Sequence, residues 1–145
     1  MSRSPKTLVV DDSDLQADIM ECTLNDLGIG DVTKAINGVL GLDHFREALS
    51  SSTPYSLVFL DIVMPEMDGQ EALKQMRALE RDAGVAGDAK TTIIMTTSLD
   101  SPKDMIEALI EGDCTDYIVK PVEEENLKVM LIKYGHLERQ PEEPV

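Results

Sequence analysis

Polar side chains that could carry phosphoryl chemistry follow four short apolar runs of this 145-residue chain. The runs and the residues after them are 8–10 before Asp11 and Asp12, 57–60 before Asp61, 93–95 before Thr96 and Thr97, and 117–119 before Lys120. Apolar runs of this length are typical of strands in a parallel sheet that is covered by helices on both faces. Ligand sites in such sheets lie outside the carboxyl ends of the strands. We therefore expect three carboxylates, a hydroxyl and an ammonium to meet at one edge of a sheet.

This set of groups favours phosphoryl transfer with Mg²⁺ as the cofactor. Carboxylates that share one edge repel each other unless a cation neutralises them. An all-oxygen set suits Mg²⁺, whereas zinc would need the His or Cys side chains that are missing from these runs. Lys120 adds a positive charge and Thr97 a hydroxyl donor, and phosphoryl transfer needs groups of this kind to stabilise the equatorial oxygens.

Asp61 is the best candidate for the group that is phosphorylated. It stands alone after the strongest apolar run, in front of a loop with Pro and Gly, and carboxylates can form aspartyl-phosphates. Asp11 and Asp12 would hold the ion, Asp12 more directly, and the backbone carbonyl of Val63 would be a further ligand. Taken singly, each residue also has a structural interpretation, because an Asp after a strand often caps a helix. Their joint placement at the ends of different strands favours chemistry.

Helical patterns alternate with the apolar runs and indicate an α/β fold. The predicted helices are 14–27, 39–50, 70–82, 102–111 and 123–137, and 32–36 is a weaker strand. Ser13 or Asp14 could cap the first helix and Gly28 could end it. Right-handed crossovers between five βα units put helices on both sides of one sheet. The pattern therefore predicts a three-layer α/β/α sandwich with 32–36 at an edge.

Charge and composition exclude several classes of function. The formal net charge of −15 disfavours a nucleic acid partner, because phosphate backbones are bound through Lys and Arg. We find no signal peptide and no run long enough for a membrane span, and expect a cytoplasmic protein that does not bind membranes. Cys22 and Cys114 have no metal-ligand spacing and are predicted to be buried thiols. His44 and His136 are predicted to be exposed residues on helices.

These residues together resemble the receiver domain of two-component response regulators, in its stand-alone, chemotaxis-regulator-like form. The resemblance rests on 8–13, on Asp61 with Met64-Pro65 and 67–69, on 94–98 and on 117–121. It implies a doubly wound, flavodoxin-like five-stranded sheet in the order 2-1-3-4-5. The implied organisation is an N-terminal tail over 1–6, a receiver domain over 7–137 and a flexible C-terminal tail over 138–145.

The resemblance also implies a role for each site residue. Asp61 would accept a phosphoryl group from a histidine kinase or a phosphotransfer protein, and Thr97 and Lys120 would contact that group. The implied Mg²⁺ ligands are Asp11, Asp12, Asp61 and the Val63 carbonyl. Thr97 and Tyr117 would report phosphorylation through a concerted movement of hydroxyl and ring. The implied protein is a switch and no enzyme, beyond catalysing its own phosphorylation and dephosphorylation.

One departure from the family concerns the turn before the last strand. Many receivers have Gly-Ala there, whereas this chain has Asp113 and Cys114 and places its glycine one residue earlier, at Gly112. The geometry of this turn therefore stays open at the level of sequence.

Two alternatives stay open beside the receiver. A phosphatase of the haloacid dehalogenase type would use Asp12 as nucleophile, but it leaves Asp61 and its loop unexplained. A scaffold that works without phosphorylation would not need the whole acidic set. In either form of receiver the output goes to a downstream protein that the sequence does not identify. An apolar patch predicted on the last two helices, with Val122, Val129 and Ile132, could bind that target or form a homodimer.

Overall fold

The chain folds into one parallel sheet. A computed structural model describes residues 5–62, 64, 67–97 and 106–138. The strands are β1 Thr7–Val10, β2 Val32–Ala35, β3 Leu57–Asp61, β4 Thr92–Thr97 and β5 Asp116–Val119. All neighbouring pairs are parallel, in the order β2-β1-β3-β4-β5. This order confirms the flavodoxin-like topology and the edge position of β2.

Helices follow the strands, as the alternating pattern predicted. They are α1 Asp14–Asp26, α2 Gly38–Ser50, α3 Gly69–Asp82, α4 Glu107–Glu111 and α5 Glu124–Lys133, with a 3₁₀ turn at Gly87–Ala89. α4 is π-helical over its five residues, and its predicted start at Pro102 lies outside the described part of the chain. Ser13, Asn37 and Asp68 cap α1, α2 and α3 by accepting backbone N–H bonds of 3.2, 2.8 and 2.9 Å. No helix within the described ranges is long and apolar enough to cross a membrane.

Each face of the sheet carries its own core. Side chains alternate along β3, so that Val58 and Leu60 face one core while Leu57 and Phe59 face the other. The first core includes buried side chains from α2 and α3, and the second includes side chains from α1 and α5. The predicted three-layer sandwich is confirmed.

A buried polar cluster fastens α3 to the amino ends of β4 and β5. The side chains of Arg77 and Glu80 are 4% and 2% exposed and form a 2.7 Å ion pair. Arg77 also donates to the carbonyl oxygens of Thr91 and Asp113, at 2.9 and 2.8 Å, while Glu80 accepts the Thr91 N–H at 2.7 Å. Arg77 also donates to Thr115 Oγ1 at 3.3 Å, so its buried guanidinium has partners on several elements.

The turn before β5 adopts the conformation for which related sequences often use glycine. Asp113 has φ of 59°, in the left-handed region that Asp tolerates better than most residues. Its carbonyl is held by Arg77 and its carboxylate pairs with Lys90 at 2.5 Å. Asp113 therefore takes the place of a glycine in this turn, with its own charge partners.

The last helix is shorter than predicted, and the expected environment of His136 is wrong. α5 ends at Lys133 because Gly135 turns left-handed at φ 81°, and the His136 N–H returns to the Leu131 carbonyl at 2.8 Å. His136 therefore lies beyond the helix, where it is half-buried and shares a 2.8 Å hydrogen bond with Thr92 Oγ1. Burial lowers the pKa of its imidazole.

Two other expectations about burial are wrong. Cys22 is exposed, because it lies off the α1 face that buries Ala17 and Leu24. Cys114 is buried as predicted, and burial raises the pKa of its thiol to about 11. Val122 packs against the core beneath α1 and α5 and so does not belong to an exposed patch.

Candidate functional site

Two adjacent central strands bring the three aspartates together. β1 and β3 pair in a register that places Val10 beside Leu60, so Asp11 and Asp61 leave the sheet at the same level. Single carboxylate oxygens from Asp11, Asp12 and Asp61 lie within 4.8 Å of one another. Asp11 and Asp61 are only 5% and 6% exposed, whereas Asp12 is exposed. The predicted acidic cluster is therefore present at the carboxyl edge of the sheet.

Lys120 bridges two of these carboxylates. Its Nζ lies 2.7 Å from Asp11 Oδ2 and 3.2 Å from Asp61 Oδ2. Burial opposes the charge on Lys120, but the hydrogen bond to Asp11 and the charges of Asp61 and Asp11 outweigh burial and hold its pKa above the ordinary value. The ammonium thus stays charged and offsets part of the acidic charge, leaving the cluster with an excess of carboxylate.

The backbone after β1 orients Asp11. The Ser13 N–H donates to Asp11 Oδ1 at 2.9 Å, while the other oxygen accepts from Lys120. Sequence reasoning treated Ser13 only as a helix cap and missed this second role. The available signal is Asp11 itself, placed two residues before the helix cap, because Asp side chains often accept from their own backbone two residues on.

Backbone hydrogen bonds hold the two ends of the loop after Asp61 together. The Ile62 N–H donates to the Thr96 carbonyl at 3.0 Å, and the Gly69 N–H donates to the Ile62 carbonyl at 2.9 Å. A side chain at Gly69 would collide with the Asp61 carbonyl oxygen, so this position needs glycine for space. Val63, the predicted carbonyl ligand, lies outside the described residues, as do 65 and 66.

Thr97 and Tyr117 occupy the same face of the sheet. Thr97 ends β4 and is 1% exposed. β4 and β5 pair Met95 with Tyr117 and Thr97 with Val119, and both Met95 and Tyr117 contact the core beneath α2 and α3. Because strand side chains alternate, Thr97 and Tyr117 point to that same side, one step apart. The Thr97 carbonyl accepts the Lys120 N–H at 2.7 Å, and the Lys120–Pro121 peptide is cis.

The donor set fits a hard divalent cation. The three carboxylates offer oxygen ligands, of which Asp12 is the most accessible. One nearby ammonium does not balance three carboxylates, and an oxygen-only set with open access suits Mg²⁺. No His or Cys takes part in the cluster found among the described side chains. The site can therefore bind a cation and present Asp61 to an incoming phosphoryl group.

Comparisons with known proteins agree with this geometry. A family model described as the response regulator receiver domain matches residues 7–132. The two-component response regulator ORR41 of Oryza sativa subsp. japonica is 33% identical over 130 residues, which cover 89% of this chain and 93% of that protein. The chemotaxis protein CheY1 of Helicobacter pylori is 36% identical over 126 residues, covering 87% and 93%. By contrast, the match to hybrid signal transduction histidine kinase L of Dictyostelium discoideum, at 31% identity, spans 7% of that protein.

Solved structures give the same result. The chemotaxis protein CheY4 of Vibrio cholerae superposes with a TM-score of 0.72 at 28% identity, covering 91% of this chain and 99% of that one. The receiver domain of the histidine kinase CKI1 from Arabidopsis thaliana, solved in complex with Mg²⁺, gives 0.78 at 25% identity, covering 90% and 92%. The fold, the acidic cluster with its lysine and these similarities lead to one conclusion: the chain belongs to the response regulator receiver domain family of two-component signalling.

Proposed function

We propose that Asp61 is the phosphoacceptor and that a histidine kinase or a phosphotransfer protein supplies the phosphoryl group. The observation that carries this proposal is the convergence of Asp61, Asp11, Asp12 and Lys120 at one edge of the sheet. An Asp61 carboxylate oxygen attacks the phosphorus, and the new O–P bond forms as the N–P bond to the donor histidine breaks. The electron pair of that bond returns to the donor imidazole.

Lys120 and Thr97 are proposed to contact the transferred group. The Lys120 ammonium lies 3.2 Å from Asp61 Oδ2 and so adjoins the position of the new phosphoryl oxygens. Thr97 ends the neighbouring strand and has a hydroxyl that can donate to an anionic oxygen. The protein would thereby assist its own phosphorylation and, when water attacks the acyl phosphate, its own dephosphorylation.

The acidic cluster is proposed to hold Mg²⁺ through Asp11, Asp12, Asp61 and the Val63 carbonyl. The ion would supply positive charge to the phosphoryl oxygens. Since Asp11 is already engaged by Lys120 and Ser13, we assign the more direct contact to the exposed Asp12. A Mg²⁺ titration of the unphosphorylated protein should show at least tenfold weaker binding for Asp12→Asn. Equal affinity in this variant would contradict the assignment.

A small acyl phosphate and intact-mass spectrometry test the phosphoacceptor. The wild-type protein should gain one phosphoryl group in the presence of Mg²⁺, and Asp61→Asn should gain none. Asp31→Asn is the matched control, since Asp31 is an exposed carboxylate at the opposite edge of the sheet. Continuous hydrolysis of the donor that persists in Asp61→Asn and stops in Asp12→Asn would instead favour the phosphatase alternative.

The phosphorylated state is proposed to be reported by Thr97 and Tyr117. Both side chains lie on the face beneath α2 and α3, and Tyr117 is only half-buried, so its ring has room to change its exposure. The Tyr117 ring resonances should shift on addition of the acyl phosphate. The shift should be lost in Thr97→Ala even when mass spectrometry shows a phosphorylated protein; a shift of the same size would contradict this role.

The surface formed by α4, β5 and α5 is the proposed output. Its exposed apolar side chains are Ile106, Leu109, Ile110, Val119 and Val129. Of the residues predicted for this patch on the preceding helix, Ile106 and Leu109 are exposed and Met105 lies outside the described residues, while Ile110 is an addition. The patch is smaller than predicted on α5, where Ile132 is half-buried. A downstream protein or a second copy of the chain would cover these side chains.

A charged substitution at the exposed Val129 of α5 tests whether this surface binds a partner. Val129→Glu should weaken binding of the phosphorylated protein to its target, or its dimerisation, without lowering the melting temperature. Loss of stability in this variant would place Val129 in the core. Partner binding that is identical in Asp61→Asn and wild type, with or without the acyl phosphate, would favour the phosphorylation-independent scaffold.

The proposed limits of the receiver domain are 7–137, between the tails 1–6 and 138–145. The family match ends earlier, at residue 132. The hydrogen bonds of His136 to the Leu131 carbonyl and to Thr92 Oγ1 support the later boundary.

A further inference from the structure

The start of α2 presses against the loop that leads from β3 to α3. Gly38 is the buried first residue of α2, and a Cβ atom at this position would lie 2.7 Å from the Met67 carbonyl oxygen. It would also lie 3.2 Å from Met67 Cγ and 3.3 Å from Met67 Cβ. A real Cβ atom essentially never lies within 3.0 Å of a heavy atom elsewhere in the fold. A side chain at position 38 must therefore displace either α2 or Met67.

The first two turns of α2 are held by a cap and by close contact with the sheet. Asn37 caps α2 through a 2.8 Å bond to the Leu40 N–H. One turn further, Gly41 lies directly on β1, where a Cβ atom would be 2.7 Å from Val10 Cγ2. Since this contact is already close, α2 has little room to move toward the sheet, and a displacement is passed on to its neighbours. A side chain at position 38 therefore pushes the loop.

The loop transmits that displacement to the phosphoacceptor. Met67 is two residues from Gly69, whose N–H is bonded to the Ile62 carbonyl at 2.9 Å. The Gly69 backbone also lies directly against the Asp61 carbonyl, where no Cβ atom would fit. Movement at Met67 thus reaches Ile62 and Asp61 through two close contacts.

We propose that Gly38 is a positioning residue for phosphoryl transfer to Asp61. By lacking a side chain, it allows Met67 to lie against the start of α2 and sets the orientation of Asp61 within the acidic cluster. This inference rests on the proposed role of Asp61. Restoring an ordinary 3.4 Å contact at position 38 needs a shift of about 0.7 Å, and shifts approaching 1 Å can cost up to about a hundredfold in rate.

The test compares Gly→Ala variants at three positions. Gly38→Ala should be phosphorylated by a small acyl phosphate at least threefold more slowly than wild type and should bind Mg²⁺ alone more weakly, with a lower melting temperature because its Cβ atom crowds a backbone oxygen. Gly41→Ala crowds Val10 and should lower the melting temperature, with a smaller effect on Mg²⁺ affinity. Gly30→Ala is the neutral control, since a Cβ atom there meets nothing within 4 Å.

A second substitution tests the contact itself. Met67→Gly removes two of the three crowded atoms and lets the carbonyl at position 67 rotate away. Adding Gly38→Ala to Met67→Gly should therefore slow phosphorylation less than adding it to wild type, and should restore folding if Gly38→Ala alone does not fold. Equal slowing in both backgrounds, or a wild-type rate and Mg²⁺ affinity in Gly38→Ala, would overturn the proposal. If the wild-type protein is itself not phosphorylated on Asp61, the proposed function fails instead.

Discussion

Glu80→Gln is expected to destabilise the protein by about 3 kcal/mol, because it leaves the Arg77 guanidinium buried without a counter-charge. The substitution keeps the size of the side chain. Glu80 accepts two hydrogen bonds, from Arg77 Nη1 at 2.7 Å and from the Thr91 N–H at 2.7 Å. The amide of Gln can accept only one of them and would turn a donor toward the other. Breaking a buried pair by removing one partner typically costs about 3–5 kcal/mol.

Urea unfolding followed by circular dichroism measures this effect. A loss of about 3 kcal/mol is a large part of an ordinary unfolding free energy of about 5–15 kcal/mol. It should lower the urea midpoint by about 1–3 M and the melting temperature by about 6–12 °C.

Asp43→Asn provides a control with the same sequence spacing. Asp43 and Arg46 are also three residues apart on a helix and pair at 3.1 Å, but their side chains are 59% and 52% exposed. Water screens such a pair, so its loss should change stability by less than about 0.5 kcal/mol. The reasoning is refuted if Glu80→Gln is as stable as Asp43→Asn. Burial would then not determine how much the Arg77–Glu80 pair contributes to the free energy of unfolding.

Three further predictions follow from the burial and charge of single side chains. A thiol reagent should label Cys22 rapidly and Cys114 only on unfolding, because Cys114 is buried and its pKa is raised to about 11; equal labelling rates in the native protein would contradict this. Burial lowers the pKa of His136, so the folded protein binds fewer protons than the unfolded chain at acidic pH. The contribution of the neutral His136 side chain to stability is complete above its unfolded pKa of 6.5 and is lost as the pH falls through the lowered folded pKa. The urea midpoint should therefore fall less in His136→Gln than in wild type between about pH 7 and pH 5.5, and parallel curves would contradict the assignment. Lys120→Met should be less stable than wild type without Mg²⁺ but gain more in melting temperature when Mg²⁺ is added, whereas an equal gain would show that Lys120 does not balance the acidic cluster.

The acidic cluster at the edge of the sheet was predictable because it depends on strand order and strand ends. Asp11, Asp61 and Lys120 each follow an apolar run. Residues that follow parallel strands lie together at the carboxyl edge of the sheet. No individual distance was needed for this inference. The resemblance to receivers then assigned the strand order, which spacing alone does not determine.

The supporting contacts were not predictable, since they arise only between elements. Arg77 and Glu80 are three residues apart on a helix, a spacing that usually indicates a solvent-exposed pair. Their burial follows from packing beneath the turn before β5. The same holds for Gly38, whose sequence context predicts a turn and whose role depends on Met67 across the fold.

The end of α5 was missed for a different reason. The apolar spacing continues past Gly135 through Leu137 and so predicts a longer helix. The glycine was the correct signal, because its left-handed conformation stops the helix. Leu137, beyond this glycine, still packs against the core beneath α1 and α5. The apolar spacing therefore continues after the helix has ended.

The bond between Lys120 and Asp11 joins residues 109 positions apart, and this has a consequence for how the protein matures. Contacts between distant parts of a chain form late, because they require long loops to close first. A chain emerging during synthesis, or one cut before β5, holds its carboxylates without the ammonium that lies between them. In its proposed role, Lys120 therefore completes the phosphorylation site only when β5 docks beside β4.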